Sequence, residues 1–169
     1  LYDTERPYNI ISKSSLCSGG AEQVERTYYS NNTIPDKESL TTSQRSAIQL
    51  LTSRNYLTTP VQQTMEKKDK RLYSVLRGYS SSLSSGMVVE DQYYCKGTDK
   101  YEKRISYNKY DIYGNPVYIN KDGAEKVVYL WGYKGQYLLA EIKGATYEEV
   151  KKALMVDPAS MSSCILPSI

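Results

Sequence analysis

Histidine is absent from this 169-residue chain, and so is phenylalanine. Without histidine, a protein lacks the usual general base near neutral pH, the most common zinc ligand, and the Ser-His-Asp or Cys-His activation of a nucleophile. The sequence also has no Gly-x-Ser-x-Gly motif and no P-loop motif. These absences predict a protein that is not an enzyme, with no catalytic residue, no cofactor and no metal site.

Catalysis without histidine would need a pair of carboxylates, as in glycoside hydrolysis. The candidate acidic residues of the strand regions lie in a pattern typical of solvated strand edges. They are Glu90, Asp91, Asp122, Glu125 and Glu141. None of them forms a convincing catalytic pair.

Cysteine is scarce, and its spacing fits neither a metal site nor a disulfide framework. Cys17, Cys95 and Cys164 lie far apart without a Cys-x-x-Cys pair. We interpret them as small buried apolar residues, and whether all three thiols are free is left open.

Neither long apolar runs nor segregated charge is present. No segment approaches the roughly 18 apolar residues that span a membrane, and no charged start leads into an apolar signal core. The 22 basic and 19 acidic residues are intermixed, for a net charge of +3. The basic run at 67–71 is more typical of a charged hairpin tip than of a phosphate-binding patch, so nucleic acid is not an expected partner.

Tyrosine is abundant instead. The apolar share is 40%, and 18 of those residues are tyrosines. Because tyrosine has an apolar ring and a polar tip, it suits a half-buried sheet face better than the centre of a thick core. The composition favours a thin, sheet-rich architecture.

The pattern of the chain predicts a mainly β fold, an antiparallel meander of β-hairpins with two short α-helices. Residues 42–55 form one predicted helix, with Thr42 or Ser43 as its cap, and residues 146–155 form the other, with a capping box. Residues 60–110 alternate apolar and polar positions between polar turns. We divide the chain into four parts: a poorly placed N-terminal segment at 1–40, a helix and connector at 41–59, the meander with its terminal helix at 60–156, and an irregular tail at 157–169.

Two predicted turns connect strands in the second half of the meander. Gly114-Asn115-Pro116 precedes a short strand, and Lys121-Asp122-Gly123 supplies residues that accept the positive φ of a tight hairpin. Strands at 125–133 and 136–142 follow, separated by a turn at 134–135.

The run from Tyr110 to Pro116 resembles the repeat of the bacterial RHS or YD-repeat proteins, in which a Tyr-Asp pair and two further residues precede glycine. The Tyr-Leu-Trp-Gly-Tyr run at 129–133 and the Ala-Thr-Tyr-Glu-Glu-Val run at 145–150 are similar to segments of a subgroup found in very large exported proteins. The similarity is tight over about 107–154 and looser over 50–106. The resemblance does not place residues 1–49.

This resemblance implies a role as well as a fold. It suggests a fragment of a large exported bacterial protein, secreted or on the cell surface, whose sheets build a shell or scaffold. The expected partners are neighbouring segments of the parent protein. Exposed strand edges could also pair with a second copy of the chain, and tyrosine-rich repeats of this kind have been linked to glycans.

The repeat residues Tyr110, Asp111, Gly114, Asn115 and Pro116 are expected to be structural. Asp111 precedes a turn and can accept hydrogen bonds from its backbone N–H groups. Glycine at 114 permits a backbone conformation closed to other residues, and the ring of Tyr110 can cover the neighbouring strand. A ligand site at Asp111 is the alternative.

Three aromatic residues, Tyr129, Trp131 and Tyr133, would share one face of a regular strand. If that face is buried, the rings are core. If it is exposed, the three rings could stack against sugars, and the chain would be a carbohydrate-binding module. Both interpretations stay open from the sequence.

Overall fold

The computed structural model describes residues 1–3, 9–83 and 86–163. Within them the chain is mainly β, as the sequence predicts, with nine antiparallel strands that follow one another in sequence order across a single meander. The strands are β1 (Ser12–Leu16), β2 (Glu22–Tyr29), β3 (Pro60–Lys67), β4 (Lys70–Leu83), β5 (Gly86–Lys96), β6 (Glu102–Tyr110), β7 (Pro116–Lys121), β8 (Glu125–Gly132) and β9 (Tyr137–Lys143). Two α-helices, α1 (Thr42–Ser53) and α2 (Tyr147–Leu154), and two 3-10 helices, Lys37–Ser39 and Pro158–Ser163, complete the described chain.

Tight turns with positive φ connect several strands. Lys68 and Asp69 have φ of 50° and 57° between β3 and β4, and Asp122 and Gly123 have φ of 48° and 72° between β7 and β8. Lys68 and Asp69 form a two-residue hairpin loop, in which positive φ at both positions matches the twist of the strands. The loop between β7 and β8 has three residues, 122–124. The predicted charged hairpin tip and the predicted Asp122-Gly123 turn are therefore confirmed.

Both predicted α-helices are present. Thr146 and Glu149 form the predicted capping box of α2. In α1 the cap is Thr41, which pairs with Gln44, and not Thr42 or Ser43 as predicted. Because all three residues can cap, the sequence locates the start of α1 only to within a residue or two.

The chain divides into two compact units. The first consists of Leu1–Ser80 and Gln92–Glu102. In this unit α1 buries Gln44 along with the apolar residues Ala47, Ile48 and Leu51. The Gln44 side chain lies against Gly78, where a Cβ atom would come within 2.4 Å of it, and it accepts a hydrogen bond from the Tyr93 hydroxyl at 3.2 Å. A polar side chain thus fixes the helix to the sheet without leaving a buried group unpaired.

The second unit consists of Ser81–Asp91 and Lys103–Ile169. Its core is built on β8 and α2, where Val128, Leu130 and Val150 are buried together. Half-buried residues from β7, β9 and the segments beside α2 pack around them, namely Tyr118, Ala140, Ile142, Ala145 and Met161. The alternation of side chains along β8 therefore places one face of this strand against α2.

The N-terminal segment at 1–40, which the sequence pattern places poorly, contributes β1, β2 and the first 3-10 helix. The tail predicted as irregular begins with the second 3-10 helix, while Cys164 and the rest of the tail lie outside the described residues. None of the helices in the described part of the chain is both long enough and apolar enough to cross a membrane.

Candidate functional site

Asp111 organises the turn that the repeat motif predicts. Its carboxylate is buried and accepts hydrogen bonds from the backbone N–H of Tyr113 at 2.9 Å and of Asn115 at 2.8 Å. A third bond comes from Asn115 Nδ2 at 3.1 Å. Gly114 has a φ of 85°, so the turn also needs the conformational freedom that the sequence assigns to this position. The contacts of Asp111 are those of a turn anchor.

Tyr110 and Pro116 flank this turn and join it to neighbouring strands. The Tyr110 hydroxyl donates to the carbonyl oxygen of Val89, and its ring stacks on Tyr107 with the centroids 6.1 Å apart. The carbonyl oxygen of Pro116 accepts the indole N–H of Trp131 at 2.8 Å. The motif residues are thus occupied by contacts within the sheet.

A second turn, at 133–136, docks against the first. Tyr133, Lys134 and Gly135 have φ of 53°, 59° and 74°. Asn115 Nδ2 donates to the carbonyl oxygen of Gly135 at 2.9 Å, and the Gly135 N–H donates to the Ser162 carbonyl at 3.1 Å. A Cβ atom at Gly135 would lie 2.5 Å from Asn115 Nδ2, so a side chain here would push the two turns apart.

This second turn corrects the predicted aromatic face. Tyr129 and Trp131 lie in β8 and are half-buried, but β8 ends at Gly132. Tyr133 lies beyond it with left-handed backbone geometry, so it does not continue the strand as predicted. Regular alternation fails because the chain reverses one residue earlier than the pattern indicates.

Three tyrosines lie at the surface around Gly135. The rings of Tyr133 and Tyr137 contact each other edge to face with centroids 5.6 Å apart. The ring of Tyr113 lies against Gly135, 2.9 Å from where a Cβ atom would be. We call Tyr113, Tyr133 and Tyr137 the tyrosine turn cluster, and all three are exposed. The sequence indicated only Tyr133 as a candidate, because the contact between the two turns depends on the hydrogen bond from Asn115 to Gly135.

A partly buried polar network occupies the first unit. Asp36 accepts hydrogen bonds from Gln62 and Arg71, and its Oδ2 atom lies 2.9 Å from the Tyr101 hydroxyl. That hydroxyl also lies 2.6 Å from Ser74 Oγ. Burial raises the pKa of the Tyr101 phenol, and the adjacent Asp36 carboxylate raises it further. Ser74 is fully buried, so this network ties the Asp36 loop to the sheet rather than presenting a nucleophile.

The described residues contain no group of three or more His, Cys, Asp or Glu side chains close enough to hold a metal ion. Cys17 and Cys95 are free thiols there, and Cys95 is buried as the sequence predicts. Burial raises the pKa of the Cys95 thiol, which keeps it in its unreactive protonated form. Cys95 therefore fits the predicted packing role, whereas Cys17 is only half-buried and its thiol donates to Gln23 Oε1 at 3.4 Å.

Comparison with known proteins does not identify a relative. A scan against protein-family models gives no match, and searches of curated proteins and of solved structures give none either. Function therefore has to be inferred from the contacts, exposure and charge of the chain's own residues.

Proposed function

We propose that this chain is a non-catalytic structural segment of a large secreted or cell-surface RHS/YD-repeat protein, in which it extends a β-sheet shell or scaffold. The residue similarity over about 107–154 supports the proposal. So do the hydrogen bonds of Asp111, which are directed at its own turn. A segment with this role would join neighbouring segments of the parent protein strand by strand.

The outer edge of β9 is the observation that carries this proposal. β9 is the last strand of the meander, and no strand among the described residues pairs with its outer edge. Natural edge strands are usually protected by charge, proline or a covering loop. Here three consecutive apolar residues, Tyr137, Leu138 and Leu139, are exposed. Such an edge suits pairing with another strand, supplied by the parent protein or by a second copy of the chain.

Light scattering coupled to size-exclusion chromatography tests this edge. We expect the isolated chain to associate as its concentration rises, and Leu138→Lys to remain monomeric, because lysine at an edge opposes strand pairing. Leu72→Lys is the matched control, since Leu72 is 41% exposed in β4 and Leu138 is 47% exposed. A monomer at every concentration for the unmodified chain, or equal loss of association in both variants, would contradict the proposal.

The tyrosine turn cluster favours a second candidate function, carbohydrate binding at a surface site. Aromatic rings with one exposed side provide apolar platforms beside polar groups, and Tyr133 and Tyr137 are held in a fixed edge-to-face arrangement. This site replaces the predicted line of Tyr129, Trp131 and Tyr133. The Trp131 indole N–H is already bonded within the sheet, so Trp131 contributes less to an open platform.

A glycan array with tyrosine variants tests this second function. We expect any bound glycan to be lost in Tyr137→Ala, because the edge-to-face pair is broken, and to be retained in Tyr56→Ala. The two residues are 61% and 52% exposed, so both replacements remove a similar exposed ring. If the chain binds no glycan on the array, or if binding persists in Tyr137→Ala, the tyrosine turn cluster is excluded as a glycan site.

A further inference from the structure

The first unit has a cleft between residues 30–38 and one side of α1. Its volume is about 760 Å³, within the range of small-molecule sites. Of the 13 described residues that line it, eight are serine, threonine, asparagine or glutamine. None of these described lining residues is aromatic, so the chemistry of the cleft differs from that of the tyrosine turn cluster.

The neutral polar groups of the cleft fall into two sets. Thr52 and Ser53 at one end already donate their hydroxyl hydrogens to backbone carbonyl oxygens. Within the described part of the chain, the side chains of Thr33, Ser46 and Gln49 have no hydrogen-bond partner in the protein. Each of these can both donate and accept, so the cleft offers several hydrogen-bonding groups that a hydroxyl-rich ligand could use.

Positive charge exceeds negative charge in the cleft. Arg45 forms an ion pair with Glu38 and lies 3.4 Å from Thr42 Oγ1. Lys37 has no ion-pair partner among the described residues. Thr42 is the first residue of α1, so the positive end of the helix dipole also lies at this side of the cleft. An anionic group would be attracted by Lys37 and the helix end and could compete with Glu38 for Arg45.

We propose that this cleft binds an anionic polyol, meaning a compound with several hydroxyl groups and one carboxylate or phosphate. The polar side chains of Thr33, Ser46 and Gln49 match the hydroxyl groups, and Lys37 with Arg45 matches the anion. Charge-assisted hydrogen bonds are the stronger ones, so the anion supplies most of the anchoring where no ring is present for stacking. A neutral sugar of the same size lacks that anchor.

Titration of the isotopically labelled full chain, followed by NMR, tests this inference. The probes are glucuronate, glucose 6-phosphate and glucose. We expect saturable shifts confined to residues 30–53 for at least one anionic probe, with glucose at least about tenfold weaker, which corresponds to about 1.4 kcal/mol. The stronger of the two anionic probes identifies the carboxylate or the phosphate as the preferred anion.

Two variants and one control define the outcome. Lys37→Gln and Arg45→Gln should each weaken binding of the anionic probe several-fold while the spectrum stays that of a folded protein. Arg104→Gln should leave binding of the anionic probe unchanged. Arg104 is a matched control because it is 45% exposed and paired with Asp122, whereas Arg45 is 34% exposed and paired with Glu38. No saturable binding, equal binding of glucose, or equal loss in the Arg104 variant would overturn the proposal. Tyr137→Ala should not affect binding of the anionic probe, and this result would distinguish the cleft from the tyrosine turn cluster.

Discussion

At the scale of single residues, Asp111 is the most heavily bonded side chain of the repeat motif. One of its oxygens accepts two backbone N–H groups, and the other accepts the side chain of Asn115. Asn115 in turn reaches the second turn through Gly135. The two turns are therefore joined through one carboxylate and one amide.

Replacement of Asp111 by asparagine tests that role. The new amide would place an NH₂ group against Asn115 Nδ2, where both groups are donors, so we expect a loss of about 1–3 kcal/mol in the free energy of unfolding. Urea denaturation monitored by Trp131 fluorescence measures it. Asp122→Asn is the control, because Asp122 is largely exposed and asparagine accepts its positive φ, so a change within about 0.5 kcal/mol is expected there. Equal effects of the two replacements would contradict the anchoring role.

The spacing of residues predicted part of this arrangement. An aspartate just before a Gly-Asn-Pro turn commonly accepts bonds from the turn, and Asp111 does. The bond from Asn115 to Gly135 spans 20 positions and depends on how two hairpins meet, which no local pattern encodes. The same contact brings Tyr113 beside the second turn, so the tyrosine turn cluster could not be predicted from alternation alone.

At the scale of an element, α2 is tied to the segment that follows it. The Tyr147 hydroxyl donates to Asp157, and Lys151 forms an ion pair with the same carboxylate at 3.0 Å. The Tyr147 ring packs against Tyr118, and Lys109 Nζ lies 4.0 Å from the centroid of the Tyr147 ring. Asp157 therefore joins the helix to the 3-10 helix that follows it.

Asp157 should make the second unit sensitive to acid. The hydrogen bond from Tyr147, followed by the bond from Lys151, lowers the pKa of Asp157 to about 2 from its ordinary value of 3.8. A carboxylate with a lowered pKa stabilises the fold above its unfolded pKa, and the stabilisation is lost as the pH falls through the folded pKa. The contribution should therefore be complete above about pH 4 and fade toward pH 2.

Thermal unfolding of Asp157→Asn across this pH range measures the effect. We expect the variant to melt below the unmodified chain at pH 6 and the difference between them to shrink as the pH approaches 2. Asp157 is partly exposed, so solvent screening keeps the effect modest. A melting difference that is constant from pH 6 to pH 2 would show that Asp157 does not act through its charge.

The helix itself followed from sequence, whereas its attachment did not. The Thr146 and Glu149 capping box is a local signal that predicts the start of α2, and the structure contains it. The pair formed by Tyr147 and Asp157 lies across the end of the helix, in the region where the sequence indicated only an irregular tail. Local patterns predict where a helix begins but not which later residue it contacts.

At the scale of the whole molecule, two local signals predicted the meander. One is the alternation of apolar and polar residues within each strand, and the other is the turn residues that close each hairpin. Pairing of each strand with its sequence neighbour needs no long-range information. The exposure of an edge, by contrast, depends on what covers the sheet. The sequence predicted pairing through exposed edges without indicating which strand is open. Among the residues that the structure describes, no strand pairs with the outer edge of β9, where three apolar side chains are exposed.

Hydrogen–deuterium exchange as a function of protein concentration tests the scaffold proposal most directly, because it reports on the backbone of β9 itself. If that edge accepts another strand, amides in Tyr137–Lys143 should become more protected as the concentration rises, while those in Ser12–Leu16 should not change. The Leu138→Lys variant should show no such protection. Exchange in Tyr137–Lys143 that is independent of concentration in the unmodified chain would contradict a role for this strand in extending a sheet.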